Sequence, residues 1–246
     1  MAIDRPRFDR FRAEIDALAE AVPAAEFGRA VRDRLAGYVE RNGIPDGSDL
    51  ELVRLVERLL GDDYAALASA IVRQFTEARD LVNELYADIG DVDVTADTRR
   101  LTRIERAVRF DIGQYDEAIA RDLARAARES LALREDVRDL IQRIEKVGGK
   151  AETYASTLGN TYTLRYARAT KSERARIGGI QFFEYVGAIR PTTRPFCLER
   201  VGKTYSTSSI LAMRNGNLEP VIECCGGWQC AHHWEPDPLA TEERTD

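Results

Sequence analysis

From Leu101 to Ile144, apolar residues recur at alternating steps of three and four: Leu101, Ile104, Val108, Ile112, Tyr115, Ile119, Leu123, Ala126, Ser130, Leu133, Val137, Leu140 and Ile144. Only Ser130 in that series is polar. Only a helix brings such positions onto one face, and so long a run is the seam of a coiled coil or of a long-helix bundle. Unbroken, the helix would be about 66 Å long at ~1.5 Å per residue. Gly113 and the "ESLALRED" stretch are the places where it could fold back as a hairpin. Packing against neighbours in its own chain is the preferred reading, and the seam is mechanical scaffold.

The segments before it are also helical in pattern. Phe8, Phe11, Ile15 and Leu18 form one apolar stripe, Pro23 punctuates it, and Phe27, Val31, Leu35 and Val39 form the next. After the turn "IPDG", Ser48 and Glu51 have the spacing of a capping box. A helix then runs to Gly61, a longer one follows to Gly90, and "DVDVTAD" is a connector. "KVGGK" is expected to end the seam helix, with another helix starting at "AETYAS". The pattern changes at "IQFFEYVGAI", a β-branched and aromatic run between Gly179 and Pro191 that reads as a strand.

The fold class that follows is mainly α. A long helical N-terminal body (1–148, a bundle or an extended body) precedes a small α+β, loop-rich module (149–238) with a Cys/His knuckle. A frayed acidic tail (239–246) closes the chain.

Composition narrows the function. With 44% hydrophobic and 32% charged residues the 246-residue chain has the make-up of a globular protein able to bury a substantial core. Its net charge of -6 argues against a dedicated nucleic-acid binder. The N-terminus has no apolar stretch of a secretory signal, and no apolar run is long enough to cross a bilayer. A protein assembled in a cytoplasm uses cysteines as thiols or ligands more readily than as disulfides.

Three of the four cysteines, both histidines and both tryptophans fall within "CCGGWQCAHHW", residues 224–234. Cys225 and Cys230 flank a glycine-containing turn, His232 follows, and Cys197 lies upstream, a set of four that could close a tetrahedral structural Zn²⁺ site. Cys224 and His233 are the spare members. The competing readings are a small core in which free cysteines act as hydrophobes, and a nucleophilic Cys197–His232 pair. Arg165, Arg168, Lys171, Arg174 and Arg176 make a basic stretch that is a candidate phosphate contact if exposed, or a solvated face paired with acids. No glycine-rich phosphate loop is present.

Residues 150–238 resemble the C-terminal region of the Mu F-like phage minor head proteins, also called head morphogenesis proteins. The matching positions are Tyr185 and Gly187, Thr193 and Arg194, Cys197, Gly202-Lys203 with Tyr205, Gly226-Gly227-Trp228, Cys230, His232 and Trp234. Arg190 stands where the family usually has Asp, and Ala231 where it usually has Arg. The resemblance implies a non-catalytic minor virion protein made in the host cytoplasm and located inside the head near the portal. Its partners would be the portal protein, the major capsid or scaffold protein and packaged DNA, with no membrane and no small-molecule substrate. It would aid head assembly, genome packaging or DNA ejection. The alternative is a metal-dependent nuclease or toxin-type effector using the Cys/His cluster.

Overall fold

The computed structural model describes residues 5–45, 47–87, 98–216 and 220–244. Five helices come first: α1 (Arg5–Glu20), α2 (Ala24–Asn42), α3 (Asp49–Tyr86), α4 (Thr98–Leu133) and α5 (Val137–Ile177). Short elements follow: β1 (Phe182–Val186), α6 (Pro195–Leu198), β2 (Thr204–Ser206), α7 (Thr207–Ala212), α8 (Val221–Cys224) and β3 (His233–Pro236). The mainly helical class with a small C-terminal sheet is therefore what the chain adopts.

The seam does break, at the second of its two candidate places. Arg134 takes a left-handed φ of 53° between α4 and α5. The junction is fastened from both sides. Asp136 caps α5 by accepting from the amides of Arg138 at 2.8 Å and Asp139 at 3.1 Å. Arg143 forks onto Glu135, with its Nη1 on Glu129 at 2.7 Å. Ser130, the one polar seam residue, is buried and donates to Glu135 at 2.9 Å. The Ser48–Glu51 capping box also forms, with the Ser48 amide donating to Glu51 Oε2 at 2.7 Å. The "DVDVTAD" connector, Gly90 and the Leu101 side chain lie outside the described residues.

Two expected breaks are absent. Helix α3 continues through Gly61, and α5 continues through Gly148 and Gly149. Gly148 is used for packing instead. A Cβ there would stand 2.9 Å from the Gly28 carbonyl oxygen, and one at Gly28 would stand 2.9 Å from the Gly148 carbonyl oxygen. The backbones of α2 and α5 meet at this point, where only hydrogen fits.

The chain forms two compact units that interleave along the sequence. One comprises 1–20, 74–104 and 160–246, and the other 21–73 and 105–159. The sequence reading cuts the chain after residues 148 and 238, whereas α3, α4 and α5 each contribute a segment to both units. In the second unit the stripe of Val31, Leu35 and Val39 is buried, and Phe27 packs on Tyr64 with ring centroids 5.3 Å apart.

In the first unit, Gln74 links three helices. It donates to the Leu18 carbonyl at 2.8 Å and accepts from Thr163 at 2.9 Å. Beside it Phe75 stacks on Tyr166 at 4.4 Å. The sheet has the order β2-β1-β3, all antiparallel, with Tyr185 opposite Trp234 and Phe183 opposite Tyr205. The tail is tied down rather than frayed as far as Arg244. Thr204 and Arg244 exchange backbone hydrogen bonds at 2.8 and 2.9 Å, and Glu243 accepts from the Ser206 hydroxyl at 2.6 Å.

The two adjacent glycines of α5 should respond in opposite ways to alanine. Gly148→Ala drives a methyl into backbone and is expected to destabilise by about 1–3 kcal/mol. At Gly149 a Cβ meets nothing within 4 Å. Gly149→Ala is therefore expected to stabilise by about 0.5–1 kcal/mol through helix propensity. Urea denaturation of both variants measures this.

Candidate metal centre

Cys197, Cys230 and His232 come together. Their ligand atoms lie within 4.8 Å of one another, and all three residues are buried. Each arrives from a different local device. Pro195 starts the single turn of α6, which carries Cys197 inward. Cys230 ends a turn in which Cys225, Gly227 and Gln229 all take left-handed φ values, 50°, 102° and 53°. Non-glycine residues in that region cost energy and need surrounding structure to hold them. His232 sits just before β3, against Gly187 at the end of β1. A Cβ on Gly187 would lie 2.4 Å from the His232 ring. Gly226 is constrained in the same way, because a Cβ there would lie 2.4 Å from Cys197 Sγ.

The sulfurs of Cys197 and Cys230 are 3.7 Å apart, and Cys230 Sγ is 3.8 Å from His232 Nδ1. The Gly226 amide donates to Cys230 Sγ at 3.3 Å. Tyr185 Oη stands 3.3 Å from Cys197 Sγ and 3.9 Å from Cys230 Sγ. A hydrogen bond from Cys197 pulls the Cys230 thiol well down, against burial and with help from the Arg168 charge and the Gly226 and His232 amides. The same pairing, with burial, pushes Cys197 well up. Two buried cysteine sulfurs beside an imidazole are the donor chemistry of a zinc or related soft-metal site. The residues present therefore fit a metal ion.

The expected set of four is corrected at one position. Cys225 is buried, but its sulfur does not belong to the group. Its left-handed backbone belongs to the turn, and burial pushes its thiol up to about 12. The spare residues are occupied elsewhere. Asn215 Nδ2 donates to Cys224 Sγ at 3.2 Å, and His233 Nε2 lies 3.0 Å from Glu235. Burial drives His233 down to about 3, so it is neutral at neutral pH.

Around the group, Tyr185 stacks on the His232 ring at 5.7 Å and packs on Trp234 at 4.5 Å. Trp234 donates its indole N–H to the Val221 carbonyl at 3.2 Å. Arg194 fastens the knuckle from outside by donating to the Trp228 carbonyl at 2.6 Å. Thr193 Oγ1 accepts from the Arg190 amide at 2.8 Å and shapes the turn before α6. Trp228, more than a third exposed, meets Tyr162 edge-on. The glycine of the "GGW" turn, Gly227, donates its amide to the Cys224 carbonyl at 2.8 Å.

The basic stretch is the larger correction. Arg165, Arg168, Lys171 and Arg174 are buried, and among the five only Arg176 is exposed. The exposure that phosphate contact would need is missing. These side chains instead serve the interior. Arg165 pairs with Glu223 at 3.2 Å, and Arg103 pairs with the other Glu223 oxygen at 3.2 Å. Arg168 donates to the backbone carbonyls of Glu223 and Cys230. Arg174 donates to Asn83 at 2.9 Å. Glu223 is fully buried and went unnoticed in the sequence, where a single Glu among 42 acidic residues carries no signal.

Comparison with protein-family models, with curated proteins and with solved structures finds no match to this chain. Among the described residues no helix is long and apolar enough to cross a membrane.

Two variants probe this interior. Arg165→Met removes one guanidinium from a fully buried carboxylate and is expected to cost about 3 kcal/mol, read by denaturant midpoint. Lys171 is buried beside the Phe8 and Phe11 rings, and burial lowers it from 10.5 to about 8. Its folded-state value lies below the unfolded one, so stability should rise with pH between about 8 and 10.5. Lys171→Met should be the more stable protein at neutral pH, by about 2 kcal/mol. That advantage should shrink across the same window, which thermal melts at stepped pH would show.

Proposed function

We propose that the chain is a non-catalytic structural and docking protein whose C-terminal segments are closed by a structural Zn²⁺, and that it serves as a minor head protein of a tailed phage. In that role it associates with the portal vertex, inside the head, and aids assembly, packaging or ejection. Its partners are the portal protein and the capsid or scaffold protein, with packaged DNA nearby. The observation that carries this reading is convergence. Tyr185, Gly187, Arg194, Cys197, Gly226, Cys230, His232 and Trp234, scattered over fifty positions of the Mu F-like resemblance, gather around one buried group. Residues that meet in space this way are the working parts of one fold, which gives the resemblance a physical content.

A nuclease or toxin-type effector is the competing role. A catalytic zinc keeps one position open to water and substrate. Cys197, Cys230 and His232 are each 5% exposed or less, and Tyr185 is fully buried against them. His233, the other histidine an effector could use, is neutral and engaged with Glu235. The arrangement favours a clasp over a reaction centre.

Heads and procapsids purified from an induced lysate of the source bacterium are expected to contain the chain in a few copies, cross-linkable to the portal protein. A chain that stays soluble while heads sediment would overturn the virion role. Metal-dependent DNA cleavage by the purified protein, lost in His233→Ala with the fold intact, would overturn the non-catalytic one.

A further inference from the structure

Three ligands leave one corner of a tetrahedron unassigned. We propose that Tyr185 Oη fills it, so that the centre is a closed Cys₂-His-Tyr site. The inference rests on the metal reading above and names the fourth donor.

The distances carry it. With metal–sulfur bonds of about 2.3 Å and metal–nitrogen or metal–oxygen bonds of about 2.1 Å, a tetrahedron has edges near ~3.8 Å between sulfurs and ~3.6 Å between sulfur and a lighter donor. The Cys197–Cys230 edge is 3.7 Å, and the Cys230–His232 Nδ1 edge is 3.8 Å. Tyr185 Oη makes edges of 3.3 and 3.9 Å to the two sulfurs, which bracket the ideal. The oxygen already stands at ligand-to-ligand distance from both sulfurs.

The other donors near the turn are otherwise placed. The Cys225 sulfur is outside the group, Cys224 accepts from Asn215, and His233 engages Glu235. Water is a poor candidate because Tyr185, Cys197, Cys230 and His232 are all buried from solvent. The ring cannot withdraw readily. Its backbone amide donates to the Lys203 carbonyl at 2.9 Å, and its carbonyl accepts from Gly202 at 2.8 Å. Strand pairing fixes it opposite Trp234, and the His232 ring lies parallel to it within 7°. On coordination the O–H bond breaks, the proton leaves to solvent, and the oxygen lone pair forms the bond to the metal.

Cobalt(II) added to the full-length reduced protein provides the test. Wild type is expected to show thiolate-to-cobalt charge transfer and the intense visible bands of four-coordinate cobalt. Tyr185→Phe keeps the ring and removes the donor. It should retain the thiolate bands, shift and weaken the visible bands, and lose roughly 10–100-fold in affinity. Visible bands identical to wild type in Tyr185→Phe would overturn the assignment while leaving the metal site standing. Absence of thiolate charge transfer in wild type would overturn the metal site itself. A second measurement needs no variant. In protein labelled with ¹³C at tyrosine Cζ, Zn²⁺ should move one of the nine tyrosine resonances downfield, as metal-bound phenolate requires. If zinc binds and none moves, the proposal fails.

Discussion

A carboxylate with no exposed surface governs how the C-terminal segments are held. Glu223 sits on α8, a helix of only four residues, and could not be buried without cations brought to it. Arg165 and Arg103 supply them. One turn further along α5, Arg168 takes up the backbone carbonyls on either side of the knuckle, those of Glu223 and Cys230. A guanidinium has five donors in a fixed plane, so a single side chain can satisfy acceptors from two loops at once. The knuckle has little regular structure with which to pair its own backbone. The C-terminal part of α5, carrying cations at three-residue spacing, is what pairs it instead.

This also explains why charge was misleading in the sequence. Arg165, Arg168, Lys171 and Arg174 recur every three residues along α5, and such a run of cations ordinarily faces water or phosphate. Here the partners are backbone carbonyls, one glutamate, the Asn83 side chain and two aromatic rings, all more than forty residues away, and none leaves a mark in residue composition. The helical seam was legible because its period follows from the helix itself, and the hairpin at Arg134 lay at one of two foreseeable places. The glycines were not. Gly148 and Gly149 look like a stop, but one of them is a contact point for another backbone, a property set by α2 rather than by α5.

The candidate centre was half legible for a related reason. Cys197, Cys230 and His232 could be picked by element preference, since thiolate and imidazole are what a soft divalent ion takes. Cys225 followed from spacing alone, and spacing cannot foresee that the turn from Cys225 to Cys230 uses three left-handed residues and that the close group comprises Cys197, Cys230 and His232. Tyr185 carried a motif position without a role, and only the pairing of β1 with β3 brings its oxygen to the sulfurs.

The sheet shows why a clasp is useful. Its strands are five, three and four residues long, too short to be stable as an isolated sheet. The central strand β1 and its neighbour β3 are instead anchored to the cluster. Tyr185 and Gly187 lie at the end of β1, His232 precedes β3, and Trp234 within β3 ties to α8 through the Val221 carbonyl. A metal joining Cys197, Cys230 and His232 would close the loops that connect these strands. Its binding free energy would become folding free energy, because the unfolded chain holds no such site. The left-handed turn, the buried arginine and the paired thiols are costly features separately. They persist together because each fixes the geometry that another needs.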